Sequence, residues 1–97
     1  MPAYVIAEIE VTDAALYEEY RRQVAPTIAA HGGRFLVRGG ATTLLEGERA
    51  PGRTAVLEFP DMARLQTWYH SPEYAPLITL RQRASQGTLR AVEGLAP

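Results

Sequence analysis

Apolar and polar positions alternate from Ala3 to Val11 (AYVIAEIEV), the two-residue period of a strand. Val5, Ala7, Ile9 and Val11 share one side. Tyr4, Ile6, Glu8 and Glu10 share the other, which begins apolar and turns acidic. The period then changes to that of a helix. After Thr12-Asp13, a good capping pair, Tyr17, Tyr20, Val24, Ile28 and His31 recur along one stripe, with Glu18, Glu19, Arg21, Arg22 and Gln23 opposite. Such a helix lays its apolar face on a sheet. Pro26 lacks an amide and crowds the preceding turn, so a kink or restart is expected near Val24–Pro26. Gly32-Gly33 ends the helix.

Arg34 to Arg38 (RFLVR) reads as the second strand. Gly39-Gly40 interrupts it, and Thr42 to Glu46 (TTLLE) is expected to resume extended structure, making the glycines a bulge or sharp bend. Gly47 to Gly52 (GERAPG) is expected to form a hairpin into the next strand, Thr54 to Phe59 (TAVLEF). That strand is apolar on both parities, as a central strand covered on both faces would be. Asp61 then caps a helix with Met62, Leu65 and Tyr69 in one stripe and Trp68 beside it. Ser71-Pro72 halts this helix, because the residue before proline avoids helical angles. Ser71 starts a second helical piece with Pro72 and Glu73 in its first turn, and Leu77, Leu80 and Ala84 as its apolar stripe. Pro76 is expected to delay its regular start. Gly87 is read as its end, Thr88 to Glu93 (TLRAVE) as the last strand, and Gly94 to Pro97 as a short tail.

The order β-α-β-β-α-β predicts an α+β, ferredoxin-like domain over residues 1–97, its helices on one face of an antiparallel sheet. The other face is partly apolar, and a 97-residue chain has nothing left to cover it. A second copy is the simplest cover, so a homodimer is expected.

Composition narrows the partners. Apolar residues make up 46% and charged residues 22%, with a net charge of −1. No basic block marks a nucleic-acid surface. Cysteine is absent, which removes disulfides and thiol chemistry. The start, MPAYVIAEIEV, reads as a strand rather than a signal peptide, and no apolar run approaches membrane-span length. A cytoplasmic protein that binds neither nucleic acid nor membrane is expected.

Four segments, YVIAEIEVTD, HGGRFLVRGG, RTAVLEFPD and WYHSPEYAPLITLR, resemble the bacterial family of domains of unknown function numbered 1330. The resemblance runs over nearly the whole chain. It implies the dimeric α/β-barrel superfamily, in which two ferredoxin-like sheets meet face to face with their helices outside. Relatives across that superfamily include cofactor-free monooxygenases, lactone isomerases, haem-handling enzymes and ligand-binding modules. A shared fold does not choose among them.

Phosphate loops, dinucleotide fingerprints and metal motifs are missing. His31 and His70 lack ligand spacing, so neither metal nor cofactor is expected. Arg38 is the leading candidate. It ends a strand before two glycines, where a ligand could approach, and its planar fork suits a carboxylate or enolate. Its structural alternative is an ion pair with Glu8 or Glu58. His31, at a helix end, could move a proton near neutral pH or only cap its helix. His70 and Tyr74 carry polar tips that could reach a pocket rim, while Trp68 and Tyr69 serve a ligand or core and dimer packing. Ser71 is explained as a cap. Glu8 and Glu58 could share a polar site, one acting as a base, or be neutralised by Arg34, Arg38 or Arg90.

The expected function is a dimeric, cofactor-independent small-molecule enzyme, monooxygenase- or isomerase-like, acting on a small organic acid or aromatic. Arg38 would hold an oxyanion while His31, His70 or Glu8 moves a proton, and Arg38, Trp68, Tyr69 and Tyr74 would contact the ligand. The alternatives are a non-catalytic ligand-binding or stress-related dimer, and a purely structural dimeric module.

Overall fold

The computed structural model describes residues 1–48 and 52–96. Four strands, β1 (Ala3–Val11), β2 (Arg34–Arg38), β3 (Arg53–Phe59) and β4 (Ser85–Glu93), form one antiparallel sheet in the order β2-β3-β1-β4. Helix α1 (Ala14–Ala30) follows β1. The second connection is split into α2 (Met62–Tyr69) and α3 (Ala75–Ala84). The arrangement is ferredoxin-like, with all helices on one face and β1 and β3 in the centre.

Local chemistry explains most boundaries. Asp13 Oδ1 accepts from the Leu16 amide at 3.0 Å, and Asp61 Oδ1 from the Arg64 amide at 2.8 Å, satisfying first-turn donors that have no partner within the helix. At the far end of α1, the Gly33 amide reaches the Ile28 carbonyl and the Gly32 amide the Ala29 carbonyl, both at 3.0 Å. This paired closure satisfies carbonyls that α1 leaves free. Ser71 Oγ donates to the Trp68 carbonyl at 2.8 Å and accepts from the Tyr74 amide at 3.2 Å, joining α2 to α3.

Val5, Leu57 and Phe59 form the floor of the core, under Tyr20, Val24 and Ile28 of α1 and Trp68, Tyr74 and Leu77 of the second connection. Trp68 is 1% exposed, and its ring centroid lies 4.2 Å from that of Tyr74 and 5.3 Å from that of Phe59. The opposite sheet face carries Tyr4, Ile6 and Val56 half-buried and Val92 exposed. On that face Glu58 pairs with Arg34 (2.9 Å) and Glu8 with Arg90 (3.8 Å).

The structure departs from the sequence reading at four places. Helix α1 runs without restart through Pro26. Pro26 and Arg22 are both exposed, so the Arg22 carbonyl deprived of its donor faces water instead of the core. Thr42 to Glu46 does not form a strand; residues 41–45 have no regular structure, and Leu45 is 89% exposed. Its extended propensity finds no neighbouring ladder, and a strand needs one. The irregularity in the sheet lies earlier, within β2, between Phe35 and Val37. Finally, α3 ends at Ala84 and not at Gly87, which lies inside β4 opposite Ile9 with φ +147°. The Ala84 carbonyl accepts instead from the Thr12 and Asp13 amides, at 2.8 and 3.1 Å. Of the expected loop Gly47–Gly52, residues 49–51 lie outside the described residues; β2 and β3 do pair antiparallel.

Candidate functional site

The bulge in β2 decides where Arg38 points. Phe35 opposes Leu57, so unbroken pairing would set Arg38 against Thr54, on the face that carries Glu8 and Glu58. The register shift instead sets Val37 against Val56 and Arg38 against Ala55, on the helix face. An extra residue in a strand re-aims the side chains beyond it. Arg38 Nη2 accordingly donates to the Arg21 carbonyl of α1 at 2.6 Å, and its guanidinium carbon stands 4.4 Å from the centre of the Phe35 ring. The ion pair between Arg38 and Glu8 or Glu58 does not form. Arg90 and Arg34 take those carboxylates on the other face.

Under α1 the sheet leaves a cavity of about 40 Å³, opening into a cleft of about 500 Å³ that includes its mouth. The inner space equals a few water molecules, room for no more than one end of a flat molecule. Val5, Ala7, Ala55, Leu57 and Leu89 line it from the sheet, and Tyr17, Tyr20 and Val24 from α1, with Trp68 behind. The remaining polar lining is entirely cationic: Arg21, Arg38, Arg53 and Arg81, without an aspartate, glutamate or histidine. Arg21 has Glu18 at 3.5 Å. No carboxylate pairs with Arg38, Arg53 or Arg81 among the described residues. Low-dielectric walls and unpaired cations together raise the local concentration of anions.

Arg53 is held in place by its neighbours. Its guanidinium carbon lies 5.3 Å from the centre of the Tyr17 ring. On the other side it fills the space over Gly39, where an added Cβ would come within 2.5 to 2.7 Å of guanidinium atoms. Gly39 has φ +71°, so glycine there serves both the turn and the arginine.

Behind the cavity, the Tyr20 and Tyr74 hydroxyls share a hydrogen bond of 2.8 Å. Burial pushes both phenol pKa values up, and the nearby Arg81 charge opposes the rise in each. Both phenols are therefore neutral near pH 7. Trp68 Nε1 donates to Thr27 Oγ1 at 3.0 Å, and Thr27 Oγ1 donates to the Val24 carbonyl at 2.7 Å, so the indole polar edge is satisfied inside the core.

The other residues singled out by sequence lie elsewhere. His31 closes α1 with its Nε2 buried and without a hydrogen-bond partner among the described residues, beside Gly32, Arg64 and Thr67. His70 is exposed at the end of α2, its ring 5.2 Å from that of Tyr69. Tyr69 is half-buried between Trp68 and His70. Glu8 is on the outer face. The structure thus brings Arg38 and Trp68 to one cavity, sets Tyr74 one hydroxyl behind it, and keeps Glu8, His31 and His70 away from its lining. Tyr17, Tyr20, Arg53 and Arg81 join the site without having been singled out for it. Their signal was present: Arg53 shares parity with Ala55 and Leu57, and Arg81 falls four residues after Leu77 on the α3 stripe.

Solved structures share this fold. A protein of unknown function from Rhodopseudomonas palustris superposes with a TM-score of 0.81 at 20% identity, over 99% of this chain and 84% of its own. SnoaB, a cofactor-independent oxygenase from Streptomyces nogalater, superposes with a TM-score of 0.66 at 18% identity, over 99% of this chain and 95% of its own. No curated protein matches. A family model described as a domain of unknown function, DUF1330, matches residues 2–95.

Proposed function

The chain belongs to the domain of unknown function family DUF1330, and we propose that it binds a small organic acid in the cavity under α1 and acts on it without a cofactor. One observation carries this reading: an apolar cavity whose charged lining is all arginine, three of the four (Arg38, Arg53 and Arg81) without a paired carboxylate among the described residues. Arg38, exposed at the mouth, meets the carboxylate, with Arg53 beside it. The hydrocarbon part of the ligand rests on Ala7, Ala55 and Leu57. A lining of guanidinium groups and neutral phenols stabilises negative charge on oxygen but has no group to remove a proton near pH 7. The substrate that fits is one acidic enough to arrive ionised, an enolate or a phenolate. Its own carbanion character would then drive isomerisation or reaction with oxygen. The fold likeness to a cofactor-independent oxygenase supports this reading. The absence of a base from the lining favours a second one, a carrier that binds the acid without changing it.

The active form in this proposal is a homodimer. Tyr4, Ile6, Val56 and Val92 make an apolar strip across the outer sheet face, and Leu36 and Val37 extend it at 46% and 40% exposure. A second copy of the same face is self-complementary to it, because each apolar strip is flanked by the pairs Glu8–Arg90 and Glu58–Arg34.

Isothermal titration with phenylacetate and phenylacetamide tests the binding claim. The acid is expected to bind and the amide, lacking the charge, to bind at least tenfold more weakly. Arg38→Gln should weaken the acid by about ten- to a hundredfold, the range for losing a charge-assisted hydrogen bond. Equal binding of acid and amide, or acid binding indifferent to Arg38→Gln, would refute the proposal.

A further inference from the structure

We propose that the Tyr20 hydroxyl and Arg81 Nε–H form a second oxygen-binding station within the cavity, so that its ligand is an oxo acid: a carboxylate plus a separate carbonyl or enolate oxygen. This rests on the cavity being the ligand site and names the class of acid that fits it.

Tyr20 and Tyr74 hold one hydrogen bond between two hydroxyls. Two O–H donors are present and one is used, so the hydroxyl that accepts keeps a free hydrogen. Either hydroxyl can donate in this bond, so an acceptor placed in the cavity is met by Tyr20 turning its hydrogen toward it while Tyr74 donates to Tyr20. Tyr20, and not Tyr74, lines the cavity.

Arg81 adds a second unmet donor. Its Nε is buried and has no hydrogen-bond partner among the described residues, and Arg81 lines the same cavity. Buried donors are seldom left without an acceptor. Here no aspartate, glutamate or histidine in the lining supplies one. Burial keeps Tyr20 a neutral donor instead of an anion. The station therefore accepts oxygen and rejects amines. Arg38, which reaches the cavity from the sheet edge while Tyr20 and Arg81 reach it from the helices, is left to hold the carboxylate.

The test uses matched probes that differ by one oxygen: phenylglyoxylate against phenylacetate, and 4-oxopentanoate against pentanoate, titrated into the intact protein. Wild type should bind each oxo acid about five- to tenfold more tightly than its partner, the range for one to two hydrogen bonds to a neutral acceptor. Tyr20→Phe and Arg81→Gln should each erase that preference, so that the two members of a pair bind with equal affinity. Arg38→Gln should weaken both members of a pair alike and keep the ratio. Tyr74→Phe, which frees the Tyr20 hydroxyl to turn, should reduce the preference only in part. If wild type binds both members equally, the second station is wrong while the anion site stands. If Tyr20→Phe weakens both members equally, one carboxylate occupies the station and the oxo-acid inference falls. If no probe binds, the cavity is not an organic-acid site and both proposals fall. Thermal melts establish that each variant is folded, and Arg81→Gln carries the test should Tyr20→Phe not fold.

Discussion

Replacing Gly87 by alanine should destabilise this protein more than almost any other exposed glycine change. Gly87 has φ +147°, a region that side-chain-bearing residues rarely adopt, which costs about 1 to 3 kcal/mol by itself. An added Cβ would also overlap the carbonyl oxygen of Glu8 and come within 2.8 Å of Ile9 Cα. Both obstacles are backbone atoms of the central strand, so neither can rotate aside. Relief requires β4 to move off β1 at the Ile9–Gly87 pair, and a lost ladder bond adds about 1 kcal/mol. The total is about 2 to 4 kcal/mol, against about 5 to 15 kcal/mol for a whole domain. At about 4 to 8 °C per kcal/mol for a domain of this size, Tm should fall by about 8 °C or more. Gly40→Ala is the control. A Cβ there meets nothing within 4 Å, and a shift within about 0.5 kcal/mol is expected. Circular-dichroism melts at one protein concentration compare the two, since assembly makes Tm concentration-dependent. A Gly87→Ala protein melting within about 2 °C of wild type would refute the close approach of β4 to β1.

Tyr20 and Tyr74 have pKa values raised in the folded state, chiefly by burial; their unfolded value is about 10. Their contribution to stability is therefore full below about pH 10 and is lost as pH rises beyond it. In an absorbance titration at 295 nm, two of the five tyrosines should ionise only as the circular-dichroism signal collapses. Ionisation of all five with the fold intact would contradict the buried pair. Val56 lies between Ile6 and Val37 on the outer face, so Val56→Glu should convert a dimer to a monomer in sedimentation equilibrium at micromolar concentration. An unchanged mass would place any dimer contact elsewhere.

Much of the fold was legible because its signals are local. The alternation of Ala3–Val11 and the caps at Asp13 and Asp61 depend on nearby residues, and their elements begin where those signals lie. The misreadings share a different cause. Thr42 to Glu46 has strand-forming residues but no partner, and partnership is set by the whole sheet. Gly87 looked like a helix stop because glycine serves both purposes; that it lies under the Glu8 carbonyl follows only from strand register. The site was harder to read for the same reason. Counting parity along Arg34–Arg38 puts Arg38 beside Glu8 and Glu58, and a single bulged residue moves it to the other face. Glu8, His31 and His70 are chemically reasonable partners for an arginine, yet three separate parts of the fold hold them. Arg53 and Arg81 were visible on the right stripes. Their importance lies in having no paired carboxylate among the described residues, a property of the assembled cavity.

In the proposed function an organic anion enters under α1 and contacts the unpaired arginines. Arginine Nε–H resonances, followed by nitrogen–proton correlation spectra during titration with phenylglyoxylate, report that contact residue by residue. Arg38, Arg53 and Arg81 should shift together and saturate with one dissociation constant. Arg34 and Arg90, engaged by Glu58 and Glu8 on the opposite face, should stay fixed. Saturable shifts at Arg34 and Arg90 with Arg38, Arg53 and Arg81 unmoved, or no saturable shift at any arginine, would contradict the account.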